Sequence, residues 1–181
     1  MSEYVITIAR GFGSGGKTIG AMLAKRLDID YFDNDLLRLA SEESGINIAL
    51  FGKADEKVKA NLFNYQAKIM RDLAAKQNCI IIGRCGDYVL RDDPKAIRIF
   101  VCADEQACID KVVELYGIDA DDAKKKIDKI DKSRAAYCKY YTGNDWNDPA
   151  NYDLCINTTK VGFDGAVDII LDYMKRKGIK V

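Results

Sequence analysis

The chain has 181 residues, of which 48% are hydrophobic, a size and composition that suit a single domain with a substantial core and leave little room for a second one. Lys plus Arg and Asp plus Glu balance at 28 each, so no broad polybasic face for a nucleic-acid polymer is expected, and any cationic function must sit in a few placed residues. There is no histidine, which excludes a His general base, a Ser-His-Asp triad and a His-ligated metal and leaves the chemistry to carboxylates, Lys, Arg, Tyr, Cys and a bound metal.

In chain order, the apolar run Val5-Ile6-Thr7-Ile8-Ala9 predicts a buried strand near 4–9. It runs into Gly11-Phe12-Gly13-Ser14-Gly15-Gly16-Lys17-Thr18, a complete G-x-x-x-x-G-K-[ST] phosphate-binding loop. Its four glycines, Gly11, Gly13, Gly15 and Gly16, with Ser14 among them, let successive backbone N–H groups turn inward on an anion. Lys17 is then expected to reach the β/γ-phosphates and the Thr18 hydroxyl to ligate Mg²⁺. Ile19, Met22, Leu23, Ala24 and Leu27 fall at helical spacing, so a helix near 16–27 aims its N-terminal partial positive charge at the same phosphates. Strand, loop and helix together predict a nucleotide-phosphate site.

A short strand at Tyr31-Phe32 ends in Asp33-Asn34-Asp35. Asp33 is a candidate for ligand or the magnesium shell; either Asn34 or Asp35 suits the cap of a helix near 34–44, and Asp35 is kept beside Asp33 as an acceptor-side candidate. Gly45 to Asp55 reads as a loop leading into a long polar helix near 56–77, a small lobe over an acceptor site spanning about 34–77. The apolar strand Ile80-Ile81-Ile82 ends in Gly83-Arg84, which places a guanidinium at the ligand edge of the sheet, where its planar fork suits phosphate; Asp87 follows as a second carboxylate. Another strand, at 97–101, precedes helices near 104–116 and 120–140. Lys124 to Lys126 read as a solvated face, whereas Lys132 and Arg134 are placed to close on phosphates as part of a lid at about 119–143. Tyr140 to Pro149 is a turn-rich loop whose Trp146 reads as a hydrophobic anchor. A last strand near 154–156 precedes Asn157-Thr158 and a helix near 163–177. This alternation predicts a mainly parallel five-stranded α/β sheet with helices on both faces and ligands at the carboxyl ends of the strands.

The six cysteines, Cys79, Cys85, Cys102, Cys108, Cys138 and Cys155, include no C-x-x-C pair, and no secretory signal or apolar run of about 20 residues is present, so a soluble cytoplasmic protein with free thiols is expected. Cys79, Cys102 and Cys155 lie in or beside apolar runs and read as small buried hydrophobes. Cys85 reads as a passive small residue or a redox-sensitive thiol near phosphate.

The chain resembles the cytidylate kinase-like family of P-loop nucleoside monophosphate kinases. The resemblance is carried by Gly11 to Thr18, Tyr31-Phe32-Asp33, Ile82-Gly83-Arg84, Arg98-Ile99-Phe100-Val101, Asp131-Lys132-Ser133-Arg134, Tyr140-Tyr141-Thr142-Gly143 with Trp146, and Tyr152 to Thr158. It implies a three-layer α/β/α fold with strand order 2-3-1-4-5 and a helical lid. It also implies ATP as donor with Mg²⁺, Asp33 beside the acceptor nucleotide, Arg84 and Arg134 on phosphates, and Asn157 and Thr158 near the adenine. CMP or dCMP is then the leading acceptor. Three departures stand out: Gly83-Arg84-Cys85 replaces Gly-Arg-Asp, Asp33-Asn34-Asp35 replaces Asp-Thr-Gly, and Lys129 and Lys132 stand where guanidiniums are usual. All fall in the acceptor and transfer regions. The alternatives are a kinase of another small metabolite, with Asp33 or Asp87 as base for a hydroxyl, and a catalytically weak nucleotide-binding regulatory protein. No N-K-x-D guanine-reading motif is present, and the sequence does not fix an oligomeric state.

Overall fold

A computed structural model describes residues 3–33, 35–45 and 56–181. Its twelve named elements run β1 (Val5–Arg10), α1 (Gly16–Leu27), β2 (Asp30–Phe32), α2 (Asp35–Ser44), α3 (Glu56–Lys76), β3 (Cys79–Ile82), α4 (Gly86–Val89), β4 (Ala96–Cys102), α5 (Glu105–Tyr116), α6 (Ala120–Thr142), β5 (Leu154–Asn157) and α7 (Thr158–Arg176). The strands form one five-stranded sheet in the order β2-β3-β1-β4-β5, with every pairing parallel. This is the order that the resemblance implies.

Strands covered on both faces read as continuous apolar runs, because neither side meets water. Ile6, Ile8, Ile80, Ile82, Ile97 and Ile99 turn to one face and pack with Ile19 and Leu23 of α1 and Ile170 and Met174 of α7. The opposite face carries Val5, Cys79 and Ile81, packed against Leu36, Leu62 and Met70 of α2 and α3. These side chains are fully buried or nearly so, and each contributes about 1.5–3 kcal/mol relative to exposure. Two apolar layers thus fix the sheet between helices and leave its carboxyl edge as the open side.

Several local features differ from the sequence expectations. The last helix begins at Thr158, where a first turn passes through Gly162 (φ 72°, ψ 174°) into the main helix; the left-handed backbone at this glycine breaks the apolar spacing. A one-turn helix, α4, follows β3, and Pro149–Asn151 forms a short 3-10 turn inside the aromatic loop. Cys79 is buried as expected and Cys102 half-buried, but Cys155 is exposed, because β5 pairs only with β4 and forms an edge of the sheet. Trp146 is an anchor: its ring meets Phe100 edge-on at 5.4 Å, and its carbonyl accepts a 2.6 Å hydrogen bond from the Tyr152 hydroxyl. Asn34 and the segment 46–55 of the acceptor-side lobe lie outside the described residues, as does the side chain of Asp35. No described helix is long and apolar enough to cross a membrane.

At the β4–β5 edge, the Arg98 guanidinium donates to Asp153 Oδ1 at 3.0 Å, the Arg98 N–H donates to Asp153 Oδ2 at 2.8 Å, and the Asp153 N–H donates to the Arg98 carbonyl at 2.7 Å. Burial opposes the charge of Asp153, but the hydrogen bonds from Arg98 outweigh it and hold the carboxyl below its ordinary pKa. Asp153→Ala is therefore expected to lower the unfolding free energy at neutral pH by about 1–3 kcal/mol in urea denaturation. A depressed carboxylate contributes its stability above its unfolded pKa of about 3.9 and loses it as pH falls through the folded value, so the gap between variant and parent should narrow in acid.

Candidate active site

The phosphate-binding loop is held by hydrogen bonds that leave its concave side free. Gly11 N–H donates to the Val101 carbonyl at 3.0 Å, which ties the loop to β4. The buried Ser14 hydroxyl lies 2.7 Å from the Gly11 carbonyl and 3.1 Å from that of Val101, so it braces the loop from behind. Thr158 does the same from α7, with its hydroxyl 2.8 Å from the Ser14 carbonyl and 3.2 Å from the Cys102 carbonyl. Gly15 caps α1 in the left-handed region (φ 88°) without a side-chain cap, so the N–H groups of the first turn are left for an anion. A Cβ at Gly15 would also lie 2.4 Å from the Phe163 ring, so both conformation and space require glycine.

Four cations converge on this loop. Lys17 Nζ lies 3.1 Å from Asp33 Oδ2, and Arg10 Nη2 lies 3.7 Å from Asp33 Oδ1, so one carboxylate at the end of β2 serves two cations from β1 and α1. The hydrogen bond and charge of Asp33 hold the Lys17 ammonium above its ordinary pKa. Burial, followed by the neighbouring Arg134, brings Arg10 down to about 10, with Asp33 opposing; it stays charged at neutral pH. Arg84 follows β3 and lines the same cleft, and among the described residues no carboxylate forms an ion pair with it. Its position comes from an uncommon backbone: Gly83, Arg84 and Cys85 all have positive φ, at 68°, 56° and 56°. Two consecutive non-glycine residues in that region are strained by about 1–3 kcal/mol each. A Cβ on Gly83 would stand 2.3 Å from Arg10 Nη1, so this glycine is what lets the guanidinium lie against the backbone.

The fourth cation arrives on α6. Asp131 Oδ1 accepts from the Phe12 N–H at 2.9 Å, and Arg134 Nη1 donates to the Arg10 carbonyl at 3.0 Å and to Asp131 Oδ1 at 3.1 Å. Burial raises the Asp131 pKa against the pull of Phe12 and Arg134, and burial lowers that of Arg134. Through this Asp131–Arg134 pair α6 is docked on the loop. Lys132 is exposed and does not line the cleft, because one residue along a helix turns the side chain about 100° away from Asp131.

Between the loop, β3 and α6 lies a cleft of about 290 Å³ lined by Arg10, Arg84, Arg134, Asp33, Asp87, Tyr137, Trp146 and the thiols Cys85 and Cys138. Burial raises the Asp87 carboxyl above its ordinary pKa, with its own and Tyr88's N–H groups and the charge of Arg98 opposing. The Tyr137 hydroxyl is buried beside Gln66, and neither it nor the Gln66 amide has a hydrogen bond of good geometry among the described residues. Tyr137 lines the cleft, with Gln66 behind it.

Of the residues singled out in the sequence, Asp33, Arg84, Asp87 and Arg134 meet in the cleft, and Lys17 and Thr18 stand exposed at the loop beside it. Ser14 is a brace rather than an open ligand group. Asn157 accepts from Thr159 N–H at 3.0 Å and donates to Asp104 at 2.8 Å, so its side chain and that of Thr158 are taken up in holding the strand end. Arg10, Asp131, Tyr137 and Cys138 carry site geometry that sequence reasoning did not assign. For Arg10, a position at the end of the first strand was the available signal; for the others, it was helical spacing from Arg134, since residues 131, 137 and 138 lie three or four positions from it.

For Mg²⁺ the donor chemistry fits. The cation favours oxygen ligands and keeps water, and the exposed Thr18 hydroxyl and the Asp33 carboxylate supply such oxygens beside the loop. No cluster of three His, Cys, Asp or Glu suited to a metal occurs among the described residues, so phosphate oxygens would complete the set.

A family model described as the cytidylate kinase-like family matches residues 5–160. The chain belongs to that family. It is thus a nucleoside monophosphate kinase-like phosphotransferase. A protein named cytidylate kinase from Methanopyrus kandleri is 26% identical over 177 residues, covering 93% of this chain and 91% of its own. Among solved structures, an uncharacterised protein from Eubacterium ventriosum superposes with a TM-score of 0.79 at 29% identity, covering 95% of this chain and 98% of that one. A shikimate kinase from Bacteroides thetaiotaomicron shares the fold, with a TM-score of 0.60 at 14% identity over 95% of this chain and 98% of its own.

Lys17→Ala should keep the fold, with unfolding free energy within about 0.5 kcal/mol of the parent, since this side chain is solvent-exposed. Mg-ATP is expected to raise the melting temperature of the parent and not that of this variant, which should also lose all phosphoryl transfer. Melting curves with and without Mg-ATP, alongside a turnover assay, measure both.

Proposed function

We propose that this member of the cytidylate kinase-like family moves the γ-phosphoryl group of ATP to a nucleoside monophosphate, with CMP or dCMP the leading acceptor. The observation that carries the reading is the convergence of Arg10, Arg84 and Arg134 on a cleft that adjoins the phosphate-binding loop. Two phosphorylated substrates meet only where cations offset their mutual repulsion, and a hydroxyl acceptor alone would need fewer. Asp33 and Asp131 offset part of this charge, and the remainder is available to donor and acceptor phosphates.

In this reading the loop N–H groups and Lys17 hold the donor phosphates, Arg84 grips the transferring group with its planar fork, and Arg134 brings α6 over the reaction. Bound Mg²⁺, held by Thr18 and reached by Asp33, offsets charge on the phosphate oxygens. The attacking phosphate oxygen is already anionic at neutral pH, so the chain needs no general base, in keeping with its lack of histidine. Asn157 and Thr158, at the end of β5, would border the adenine through their backbone groups. Asp33 and Asp87 would face the acceptor, and Tyr137 on the cleft wall would offer it a hydrogen bond. The segment 119–143 would act as a lid: its inner face already grips the loop through Asp131 and Arg134, and filling both phosphate sites would tighten that grip and exclude water.

One observation favours a second reading, a kinase of a small hydroxyl-bearing metabolite. Asp87 is a buried cleft carboxylate with a raised pKa, the type of group that takes a hydroxyl proton. ADP release measured over a panel of CMP, dCMP, UMP, other nucleoside monophosphates, sugars and hydroxy acids decides between them. Dependence on CMP or dCMP supports the first reading and dependence on a hydroxyl acceptor the second, while ATP binding without acceptor-dependent ADP release removes both.

With the best acceptor, Arg84→Lys should lose at least about 100-fold in kcat/KM although charge is kept, because an ammonium cannot reproduce bidentate geometry. Arg134→Ala should lower kcat by about 2–4 kcal/mol of transition-state stabilisation with a smaller change in ATP affinity. Steady-state kinetics with nucleotide titration measures each effect.

A further inference from the structure

Of the six free cysteines, two line the cleft, and they come from opposite walls. Cys85 follows Arg84 on the turn after β3, and Cys138 sits on α6 one helical turn beyond Arg134. The two thiols face the same cleft and are near enough for each to shift the titration of the other. Cys138 Sγ also lies 3.4 Å from the Thr142 hydroxyl, whose proton is directed to the Cys138 carbonyl at 2.7 Å. Cys85 is also held at φ 56°, a backbone conformation costly for any side-chain-bearing residue, and such strain persists where the surroundings impose it, commonly at functional sites.

We propose that Cys85 and Cys138 are a peroxide-sensitive thiol pair whose oxidation to a disulfide staples α6 to the β3–α4 turn and closes the cleft to the acceptor. The setting favours thiolate chemistry. Arg84 adjoins the pair and Arg10 and Arg134 share the cleft, whereas Asp87 and, more remotely, Asp145 act against it. The neighbouring Cys85 thiol lowers the Cys138 pKa against the effect of burial, while Cys138 and burial push Cys85 up. Cys138 is thus the attacking sulfur. Its thiolate attacks one oxygen of hydrogen peroxide, the O–O bond breaks, and the departing hydroxide takes up a proton as water, leaving a sulfenic acid on Cys138. The Cys85 sulfur then attacks the Cys138 sulfur and the S–O bond breaks. The hydroxyl leaves with the Cys85 proton as a second water. Two thiols are oxidised by two electrons and one peroxide is reduced to two waters. A dithiol reductant reverses the change by exchange. The linkage would draw α6 onto the strained turn that carries Arg84, so the guanidinium could no longer adjust to an acceptor phosphate.

The thiol chemistry stands apart from acceptor identity; only its effect on turnover rests on the function proposed above. The test treats the reduced full-length chain with hydrogen peroxide, with and without Mg-ATP plus CMP, then maps tryptic peptides by mass and measures ADP release with the best acceptor. The expected result is a Cys85–Cys138 linkage short of two hydrogens, formed about tenfold or more slowly when nucleotides fill the cleft. Turnover should fall in step with the linkage and recover with dithiothreitol. Cys138→Ser and Cys85→Ala should each abolish the linkage and keep their own activity through the treatment, whereas Cys155→Ser, at the exposed thiol on β5, should respond like the parent. Peroxide oxidation without a Cys85–Cys138 linkage overturns the proposal, as does a linked protein as active as the reduced one or a Cys138→Ser variant inactivated like the parent. A chain without transferase activity would refute the proposed function, while the mass map would still decide whether the thiols pair.

Discussion

Mutual repulsion among four cations is the constraint around which the carboxyl edge of the sheet is built. Arg10, Lys17 and Arg134 come from three different elements and Arg84 from the turn after β3, and at an effective dielectric constant of about 20 each like pair at 4 Å would cost about 4 kcal/mol. Two carboxylates hold the arrangement together. Asp33 bridges Lys17 and Arg10, and Asp131 accepts from both the loop and Arg134. Arg84 has no recorded partner among these ions. The balance leaves the cleft short of negative charge, and a phosphate ligand would supply it, which links the stability of the edge to occupancy of the site.

The same edge is where the backbone departs from regular geometry. Gly15 turns the loop into α1, and the run of positive φ from Gly83 to Cys85 turns β3 into α4. Both turns sit on strands whose apolar side chains are locked between two helical layers. Rigid burial below can hold strain above. On the open side, α6 reaches the loop through polar bonds from Asp131 and Arg134 and through an apolar cluster that includes Ala123, Ile127 and Phe12, and it reaches α3 through the aromatic cluster of Tyr137 and Tyr141 with Phe63. Polar ties of this kind can be remade around a ligand, whereas a buried isoleucine layer cannot shift without losing its packing.

Much of the architecture was legible in the sequence because each buried strand is an uninterrupted apolar run and each helix carries its own period. The bounds of α1 match the reading to the residue, since the glycine-rich loop and Asp28, whose left-handed backbone ends the helix, mark them locally. The break at Gly162 and the exposure of Cys155 were not legible, because one depends on a left-handed turn inside an apolar pattern and the other on which strand lies at the edge. The site divides in the same way. Lys17, Thr18, Asp33 and Arg84 were visible because each follows a strand or opens a helix, positions whose place in space is set by local structure. Lys132 stands exposed away from the cleft, a placement set by the rotational phase of α6, which residue type alone does not give.

The amino-acid sequence by itself determined the phosphate-binding loop, the alternation of strands and helices, and the absence of histidine chemistry, because these depend on residue type and short spacing. Only the tertiary structure decided that Asp131 and Arg134 clasp the loop across more than a hundred residues, that Ser14 and Thr158 brace it from behind, and that Cys85 and Cys138 line one cleft from opposite walls. Those contacts join segments far apart in the chain. Their partners are chosen by the order in which strands pack into the sheet and by the face each helix turns toward it, and neither is a property of any local stretch of residues.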